Sequence, residues 1–257
     1  MNLPAYWKAC RHARARMNVH EERVPYGPHR RQYAVVVRSR EMPATDSRKI
    51  AFYFHGGAWT FGRPETFVPA AIPWLAEGFT VVLPSYRRPP EVGLNRVVAD
   101  CRAAITHFRP EGAVSALHLG GMSAGAHLAG LLGANPEYWT SAGWVTPPQR
   151  VLCCAGPLSF AAGGATRALL PYYAHLDAIR ALRAAGPNPA RWLLLHGTAD
   201  PVVVTRHSRR FYARLRELGH PARLELLPGG SHLDAGRWMF GDPTTERVTD
   251  FLRSNNN

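Results

Sequence analysis

A serine between two glycines stands where an apolar run gives way to small apolar residues. The stretch Gly121-Met122-Ser123-Ala124-Gly125 predicts a strand, a sharp turn and a helix in that order. A serine in such a turn takes a strained backbone conformation, and the glycines leave room for strand and helix to pass closely. The hydroxyl group would then lie at a helix N-terminus, where amide groups stabilise negative charge. The pattern favours a serine nucleophile over a plain Gly-Ser turn.

A serine hydroxyl needs a base to take its proton and an acid to orient that base. Asp200 and His232 each come directly after a predicted strand. Because parallel strands bring their carboxyl ends to one edge of a sheet, we expect Ser123, Asp200 and His232 to meet there. The order Ser, Asp, His along the chain resembles the α/β-hydrolase arrangement. Asp177 and Asp234 are weaker candidates for the acid, since neither directly follows a strand in this order.

Attack of a serine on a carbonyl group forms an oxyanion, which needs donors placed in advance. The amide of Ala124, directly after the serine, is one predicted donor. Gly56 and Gly57 follow another predicted strand, and two glycines allow the backbone to turn its amides inward. We therefore expect further donors from this stretch, with a plain Gly-Gly turn as the alternative.

Strands and helices alternate along the chain, and several strands are apolar throughout. This pattern predicts an α/β fold with a mostly parallel central sheet and helices on both faces. The strands are predicted at 33–38, 50–54, 79–83, 114–119, 150–155, 191–196 and 222–227, with a polar turn at 45–47. The helices are predicted at 5–16, 66–77, 94–108, 124–132, 205–218 and 244–253.

The length of 257 residues and a hydrophobic fraction of 46% favour one large domain spanning 1–257. Residues 1–32 have little periodicity beyond one short helix and are predicted to form an N-terminal cap segment. Two irregular stretches, 135–149 and 156–188, belong to connections that leave strands at the carboxyl edge of the sheet. We expect them to form lid or pocket loops, because ligand-binding loops concentrate at that edge.

Several classes of protein are disfavoured by the sequence. No uninterrupted apolar run reaches the roughly 18 residues of a membrane span, and residues 1–18 lack the apolar core of a secretion signal. The four cysteines have no metal-ligand spacing, and two of them are adjacent in an apolar strand. We expect reduced, buried thiols in a cytoplasmic protein, with no metal site.

The formal charge of +13 comes almost entirely from arginine, since only Lys8 and Lys49 are lysines among 31 basic residues. The arginines are scattered in sequence, without a long run or a basic-aromatic repeat. We expect no specific nucleic-acid binding, but a non-specific attraction to polyanions. A GC-rich genome would explain the same bias, so whether the excess is functional stays open.

Five stretches together resemble the α/β-hydrolase superfamily, and within it the hormone-sensitive-lipase-like esterases and the arylformamidases (kynurenine formamidases). The resemblance covers roughly residues 33–253. The stretches are His55-Gly56-Gly57-Ala58-Trp59 with Gly62, Tyr86-Arg87, Gly121 to Ala129, His196 to Asp200, and His232. The resemblance implies that Ser123 is the nucleophile, His232 the base and Asp200 the orienting acid. It also implies that the amides of Gly56, Gly57 and Ala124 form the oxyanion hole.

Three functions follow as hypotheses. The first is a carboxylesterase-type serine hydrolase that cleaves small or short-chain carboxylic esters through an acyl-enzyme. The second is an arylformamidase that hydrolyses formamides such as N-formylkynurenine, and the remote third is a basic binding protein without catalysis. No metal or organic cofactor is implied, and a homodimer stays open. An aromatic wall for the substrate is predicted from Trp59, Phe61, Tyr172 and Tyr173.

Overall fold

The computed structural model describes residues 2–41 and 48–253, so the turn predicted at 45–47 lies outside the described residues. Apolar runs bounded by polar or glycine residues form the strands, as their composition predicts. The strands are β1 (Val19–Pro25), β2 (Tyr33–Ser39), β3 (Lys49–Phe54), β4 (Thr80–Pro84), β5 (Ala116–Met122), β6 (Arg150–Cys154), β7 (Arg191–Gly197) and β8 (Ala222–Leu227).

These strands form one sheet in the order β1-β2-β4-β3-β5-β6-β7-β8 within the described ranges. The first two pairings, β1 with β2 and β2 with β4, are antiparallel, and the others are parallel. The predicted α/β fold with a mostly parallel sheet is therefore confirmed. Strand β5, which leads to Ser123, lies between β3 and β6 in the middle of the sheet.

Helices connect the parallel strands and cover both faces of the sheet. They are α1 (Leu3–Ala15), α2 (Ile72–Ala76), α3 (Leu94–His107), α4 (Ala124–Ala134), α5 (Glu137–Thr140), α6 (Leu170–Tyr173), α7 (Ala178–Ala181), α8 (Arg206–Glu217) and α9 (Thr244–Arg253). Five 3₁₀ segments are also present in this part of the chain: Pro64–Ala71, Phe160–Ala162, Gly164–Leu169, Ala174–Leu176 and His232–Phe240.

Two clusters of buried apolar side chains hold the layers together. One cluster joins the sheet to α3, α4 and α8. The other joins the opposite face to α1, α2 and α9. Strand residues such as Phe52 and Tyr53 alternate between these clusters, because successive side chains of a strand point to opposite faces. The nearly continuous apolar strands are thus explained by burial on both sides.

Strand β1 is an element that the sequence pattern did not predict. It pairs with β2 at the edge of the sheet, and its seven residues include two glutamates, a histidine and an arginine. An edge strand with one exposed face needs no apolar run, and charged residues protect it from pairing with other chains. The signal used for the other strands is therefore absent here.

Candidate active site

The turn between β5 and α4 holds Ser123 in a strained conformation, with φ 56° and ψ −120°. A side chain at Gly121 would collide with the backbone of Gly125, and one at Gly125 would collide with the carbonyl of Phe54. Both glycines are therefore required by the close passage of β5, α4 and β3, as the sequence pattern predicted. The serine lies at the N-cap position of α4, where the helix dipole favours negative charge.

The structure brings Ser123, His232 and Asp200 into one hydrogen-bonded chain. The Nε2 atom of His232 lies 2.9 Å from Ser123 Oγ, and its Nδ1 atom lies 2.7 Å from Asp200 Oδ2. The three residues follow β5, β8 and β7, whose carboxyl ends lie at the same edge of the sheet. An imidazole whose Nδ1–H donates to a carboxylate leaves Nε2 free to accept the serine proton.

Asp200 is almost buried, with 6% of the residue exposed. Its Oδ1 atom accepts hydrogen bonds from the amides of Val202 and Val203, at 2.8 and 2.9 Å. Burial alone would raise the pKa of this carboxyl group, but hydrogen bonds from His196 and His232 lower it below the ordinary value of an aspartate. The carboxylate is therefore ionised at neutral pH, and hydrogen bonds to both of its oxygens fix its orientation.

His196 is a supporting residue whose contact with Asp200 the sequence did not predict. Its Nε2 atom lies 2.7 Å from the carbonyl of Val203 and 3.2 Å from Asp200 Oδ2. Since both neighbours only accept, Nε2 carries the proton, and Nδ1 accepts from Ser208 Oγ at 2.7 Å. The only signal in the sequence is its place at the end of β7, four residues before the aspartate.

Two of the predicted oxyanion donors, Gly56 and Gly57, line the same cavity as Ser123. A Cβ atom on Gly56 would lie 3.4 Å from Ser123 Cβ, which shows how closely this backbone approaches the serine. Gly57 has φ 121°, a conformation that suits glycine. Ala124 is the first residue of α4, where an amide has no acceptor within the helix. Amides from both turns are thus available beside the serine.

His55 holds the backbone of the glycine turn from the buried side. It is fully buried and stacks on Tyr86 with the ring centres 4.4 Å apart. Burial lowers the pKa of His55 to about 3, so the ring is neutral and its Nδ1–H donates to the carbonyl of Gly56 at 2.8 Å. Tyr86 donates its hydroxyl to the carbonyl of His55 at 3.0 Å. These bonds hold the carbonyl of Gly56 toward the core.

Ser123 and His232 open into a cavity of about 980 Å³. Phe61, one of the four aromatic residues predicted for the substrate wall, lines this cavity and is 47% exposed. Trp59, Tyr172 and Tyr173 are not among the lining residues. The structure therefore brings one of the four to the pocket.

The other three aromatic residues have different environments. The Trp59 ring packs edge-on against His127, with centres 5.3 Å apart. Tyr172 is 75% exposed, and Tyr173 lies with its hydroxyl next to Gly93. Their aromatic character suggested a wall, but their rings contact other parts of the protein or solvent and do not line the cavity around Ser123.

The pocket is covered by the N-terminal segment. Eight lining residues fall within 1–32, among them Tyr6, whose hydroxyl lies 3.1 Å from Met122 Sδ beside the serine. None of the lining residues falls within 135–149 or 156–188, both fully described, although these stretches were predicted as lid or pocket loops. They instead carry short helices, of which α7 packs against α4.

Three further sequence expectations concern the cysteines, a metal site and a membrane span. The four cysteines are buried and unpaired, as predicted. Across residues 2–41 and 48–253, no group of three or more His, Cys, Asp or Glu side chains could hold a metal ion. Nor does any helix in these ranges combine the length and the apolar character needed to cross a bilayer.

Family models match this chain over the residues that form the site. A model described as an α/β-hydrolase fold matches residues 51–135, and a model of the prolyl oligopeptidase family matches residues 94–255, more than half of the chain. The chain belongs to the α/β-hydrolase superfamily. The first match includes the glycine turn at 56–57, and the second includes Ser123, Asp200 and His232.

Relatives of this α/β hydrolase include proteins named as esterases and as a formamidase. Esterase LipC of Mycobacterium tuberculosis is 28% identical over 95% of this chain and 67% of its own length. Protein YfhR of Escherichia coli is 40% identical over 27% of this chain and 24% of its own length. Kynurenine formamidase of Danio rerio is 31% identical over 35% of this chain and 32% of its own length. The chain thus spans from about a quarter to two thirds of these relatives.

A solved structure with the same fold is a truncated carbohydrate esterase from gut microbiota. Its TM-score is 0.76 at 19% identity, and the superposition covers 91% of this chain and 95% of that one. Identity this low establishes the α/β-hydrolase fold alone.

Proposed function

We propose that this α/β hydrolase is a carboxylesterase-type serine hydrolase that cleaves small or short-chain carboxylic esters through an acyl-enzyme. The observation that carries the proposal is the hydrogen-bonded chain Ser123–His232–Asp200, which opens into a cavity also lined by Gly56 and Gly57. A single domain spanning 1–257 and a cytoplasmic location are part of the same proposal.

The proposed acylation begins when Ser123 Oγ attacks the ester carbonyl carbon and gives its proton to His232 Nε2. The carbonyl oxygen becomes an oxyanion, stabilised by the amides of Gly56, Gly57 and Ala124. When the tetrahedral intermediate collapses, the C–O bond to the alcohol breaks and His232 returns the proton to the leaving oxygen. Asp200 stays ionised throughout and stabilises the imidazolium.

Deacylation repeats these steps with water in the place of the serine. His232 Nε2 takes a proton from the water, whose oxygen attacks the acyl carbon, and the second oxyanion occupies the same amides. Collapse breaks the bond to Ser123 Oγ, which regains its proton from His232. Each turnover therefore consumes one water and releases one alcohol and one carboxylic acid, with no external co-reactant.

An arylformamidase is the second candidate. It is favoured by the similarity to kynurenine formamidase and would use the same serine, base and amides. It differs in the pocket, which must place a formyl group at Ser123 and an aromatic amine beside it. Phe61 is one of the aromatic lining residues that would contact such a ring.

Side-by-side values of kcat/KM test the two candidates. We expect hydrolysis of p-nitrophenyl acetate and butyrate, and loss of about 10⁶ in kcat in Ser123→Ala. A value for N-formylkynurenine more than about 100-fold above the best ester would replace the esterase by the formamidase. A prolyl peptide anilide is the third substrate in the comparison. A higher kcat/KM for it than for the esters and the formamide would contradict both candidates.

A further inference from the structure

The cavity around Ser123 is strongly cationic. Among the described residues 2–41 and 48–253, seven arginines line it and Glu65 is the only acidic lining residue. The arginines come from α1, from the β1–β2 region, from the turn before the Pro64–Ala71 segment and from the residues after β4. They are Arg11, Arg14, Arg23, Arg30, Arg31, Arg63 and Arg88. Arginines that are scattered in the sequence are therefore gathered by the fold at the proposed catalytic centre.

Part of this charge is already paired within the protein. Arg14 donates to both carboxylate oxygens of Glu21, at 2.9 and 2.6 Å. Arg23 lies 3.6 Å above the ring centre of Tyr33. The Glu65 carboxylate accepts from the Tyr33 hydroxyl at 2.9 and 3.1 Å. Arg31 lies 3.9 Å from Glu91 Oε2. The remaining guanidinium groups of the cavity have no ion pair with a carboxylate among residues 2–41 and 48–253; they belong to Arg11, Arg30, Arg63 and Arg88.

Arg88 is the clearest of these unpaired groups. It is half-buried, and its buried Nε atom finds no hydrogen-bond partner among residues 2–41 and 48–253. Burial, together with the positive charge of Arg31, lowers the pKa of Arg88 despite the opposing effects of Tyr86, Tyr33 and Glu65, and no hydrogen bond joins Glu65 to Arg88. A buried donor without an acceptor is costly, and a planar guanidinium is suited to a carboxylate or phosphate.

The same cavity has an apolar side. Leu3, Trp7, Phe61 and Val202 line it, and all four are exposed large apolar residues. An apolar surface next to unpaired arginines is complementary to a ligand with a hydrophobic body and one anionic group. A polyanion without an apolar part would leave these side chains in water.

We propose that the substrate is an amphiphilic ester whose uncharged reactive carbonyl lies at Ser123 and whose anionic group, a carboxylate or a phosphate, is bound by Arg88. The inference rests on the proposed hydrolase function and adds a substrate class to it. Exposed Arg30 and Arg63 strengthen the local field and attract the anion to the cavity.

Charge-matched esters test the inference by turnover. 4-Acetoxybenzoate is compared with its neutral methyl ester, and p-nitrophenyl hemiglutarate with its neutral methyl ester, so that both ends of the substrate are sampled. We expect the anionic member of at least one pair to have the larger kcat/KM, by about 10-fold or more at low salt. Ratios at or below one in both pairs would overturn the inference but leave the hydrolase proposal intact.

Matched variants locate the anion site. Arg88→Gln should lower kcat/KM of the preferred anionic ester by about 10- to 100-fold more than that of its neutral partner, chiefly through KM. Arg63→Gln, at an exposed position, should lower the same ratio by a smaller factor. Arg216→Gln removes the same charge from an exposed site on α8 outside the cavity and should leave the ratio unchanged. Equal effects of Arg88→Gln and Arg216→Gln would contradict the inference.

Direct binding separates this inference from the hydrolase proposal. Calorimetry with Ser123→Ala should show tighter binding of 4-acetoxybenzoate than of its methyl ester, and loss of that difference when Arg88→Gln is added. Benzoate and phenyl phosphate, titrated in parallel, show whether the carboxylate or the phosphate is preferred. If neither anion binds more tightly than its neutral analogue, the anion site is refuted whatever the esterase assays show.

Discussion

The orientation of His232 decides whether Ser123 can react. A base that accepts the serine proton must carry its own proton on Nδ1, and this tautomer is favoured by the carboxylate 2.7 Å away. Asp200 is held by the amides of Val202 and Val203 and contacted by His196. The proposed reactivity of the Ser123 hydroxyl therefore depends on contacts made by Asp200, at the other end of the hydrogen-bonded chain.

Replacing Asp200 with asparagine should remove this tautomer preference. In Asp200→Asn the amide group would donate to Nδ1, so that the proton moves to Nε2 and the base can no longer accept. We expect the fold to persist and kcat to fall by about 10⁴. The measurement is steady-state turnover of p-nitrophenyl butyrate, with circular dichroism to check folding.

Asp177→Asn is the matched control, since Asp177 is also buried but accepts a hydrogen bond from the amide of Phe160 instead. It should change kcat by less than about threefold, as an isosteric change at a residue that does not line the cavity. Near-normal turnover in Asp200→Asn, together with loss in Asp177→Asn or Asp234→Asn, would show that the acid is misassigned.

At the scale of elements, the glycine turn after β3 and the turn after β5 form the two halves of the proposed oxyanion hole. Gly57 has φ 121°, and a side chain there would collide with the carbonyl of Phe61. The backbone conformation of this turn is thus coupled to its close contact with residues 61–62.

Gly57→Ala should lower kcat by about 10²–10³, because a displaced turn removes an oxyanion donor. Gly163→Ala provides the control: Gly163 has φ 117° but nothing within 4 Å of an added Cβ. Both variants carry the cost of an unfavourable φ, about 1–3 kcal/mol, whereas only the first should lose turnover. Similar kcat values in the two variants would contradict the role of the turn.

The elements that position the site could be predicted because each has a strong local signal. The start of α4, the bounds of β8, and the places of Ser123, Asp200 and His232 after their strands follow from apolar runs and the residues that end them. Strand β1 could not be predicted in this way, since its pairing with β2 leaves one face exposed and its residues charged. The pocket lining was missed for a related reason. It depends on how α1 packs against the segments Pro64–Ala71 and His232–Phe240, which are distant in sequence, and periodicity does not encode such contacts.

At the scale of the whole molecule, four buried histidines lie away from the proposed base. Burial lowers the pKa of each, to about 3 for His55 and His118 and about 4 for His127 and His207. The unfolded chain binds these protons near pH 6.5, about the ordinary value. The contribution of these histidines to the free energy of unfolding is therefore complete above that pH. It decreases as the pH falls toward 4, because in this window the four histidines gain protons only in the unfolded state.

The free energy of unfolding, measured with urea from pH 8 to 4.5, should decrease below pH 6.5. Each buried histidine contributes up to about 1.4 kcal/mol per pH unit. His118→Asn should reduce the slope by about one histidine's share, since asparagine can still accept from Trp74 without titrating. His20→Asn, at an exposed position of β1, should leave the slope unchanged. A free energy that stays flat between pH 7 and 5 would refute this account.

The central claim is that Ser123 is the nucleophile, and covalent trapping tests it most directly. A fluorophosphonate reacts with an activated serine and cannot be released by the deacylation steps proposed above. Peptide mass spectrometry after labelling should place one phosphonyl group on Ser123 and none on any other residue, and Ser123→Ala should remain unlabelled. A phosphonyl group on another residue, or labelling of Ser123→Ala at the wild-type rate, would contradict the assignment.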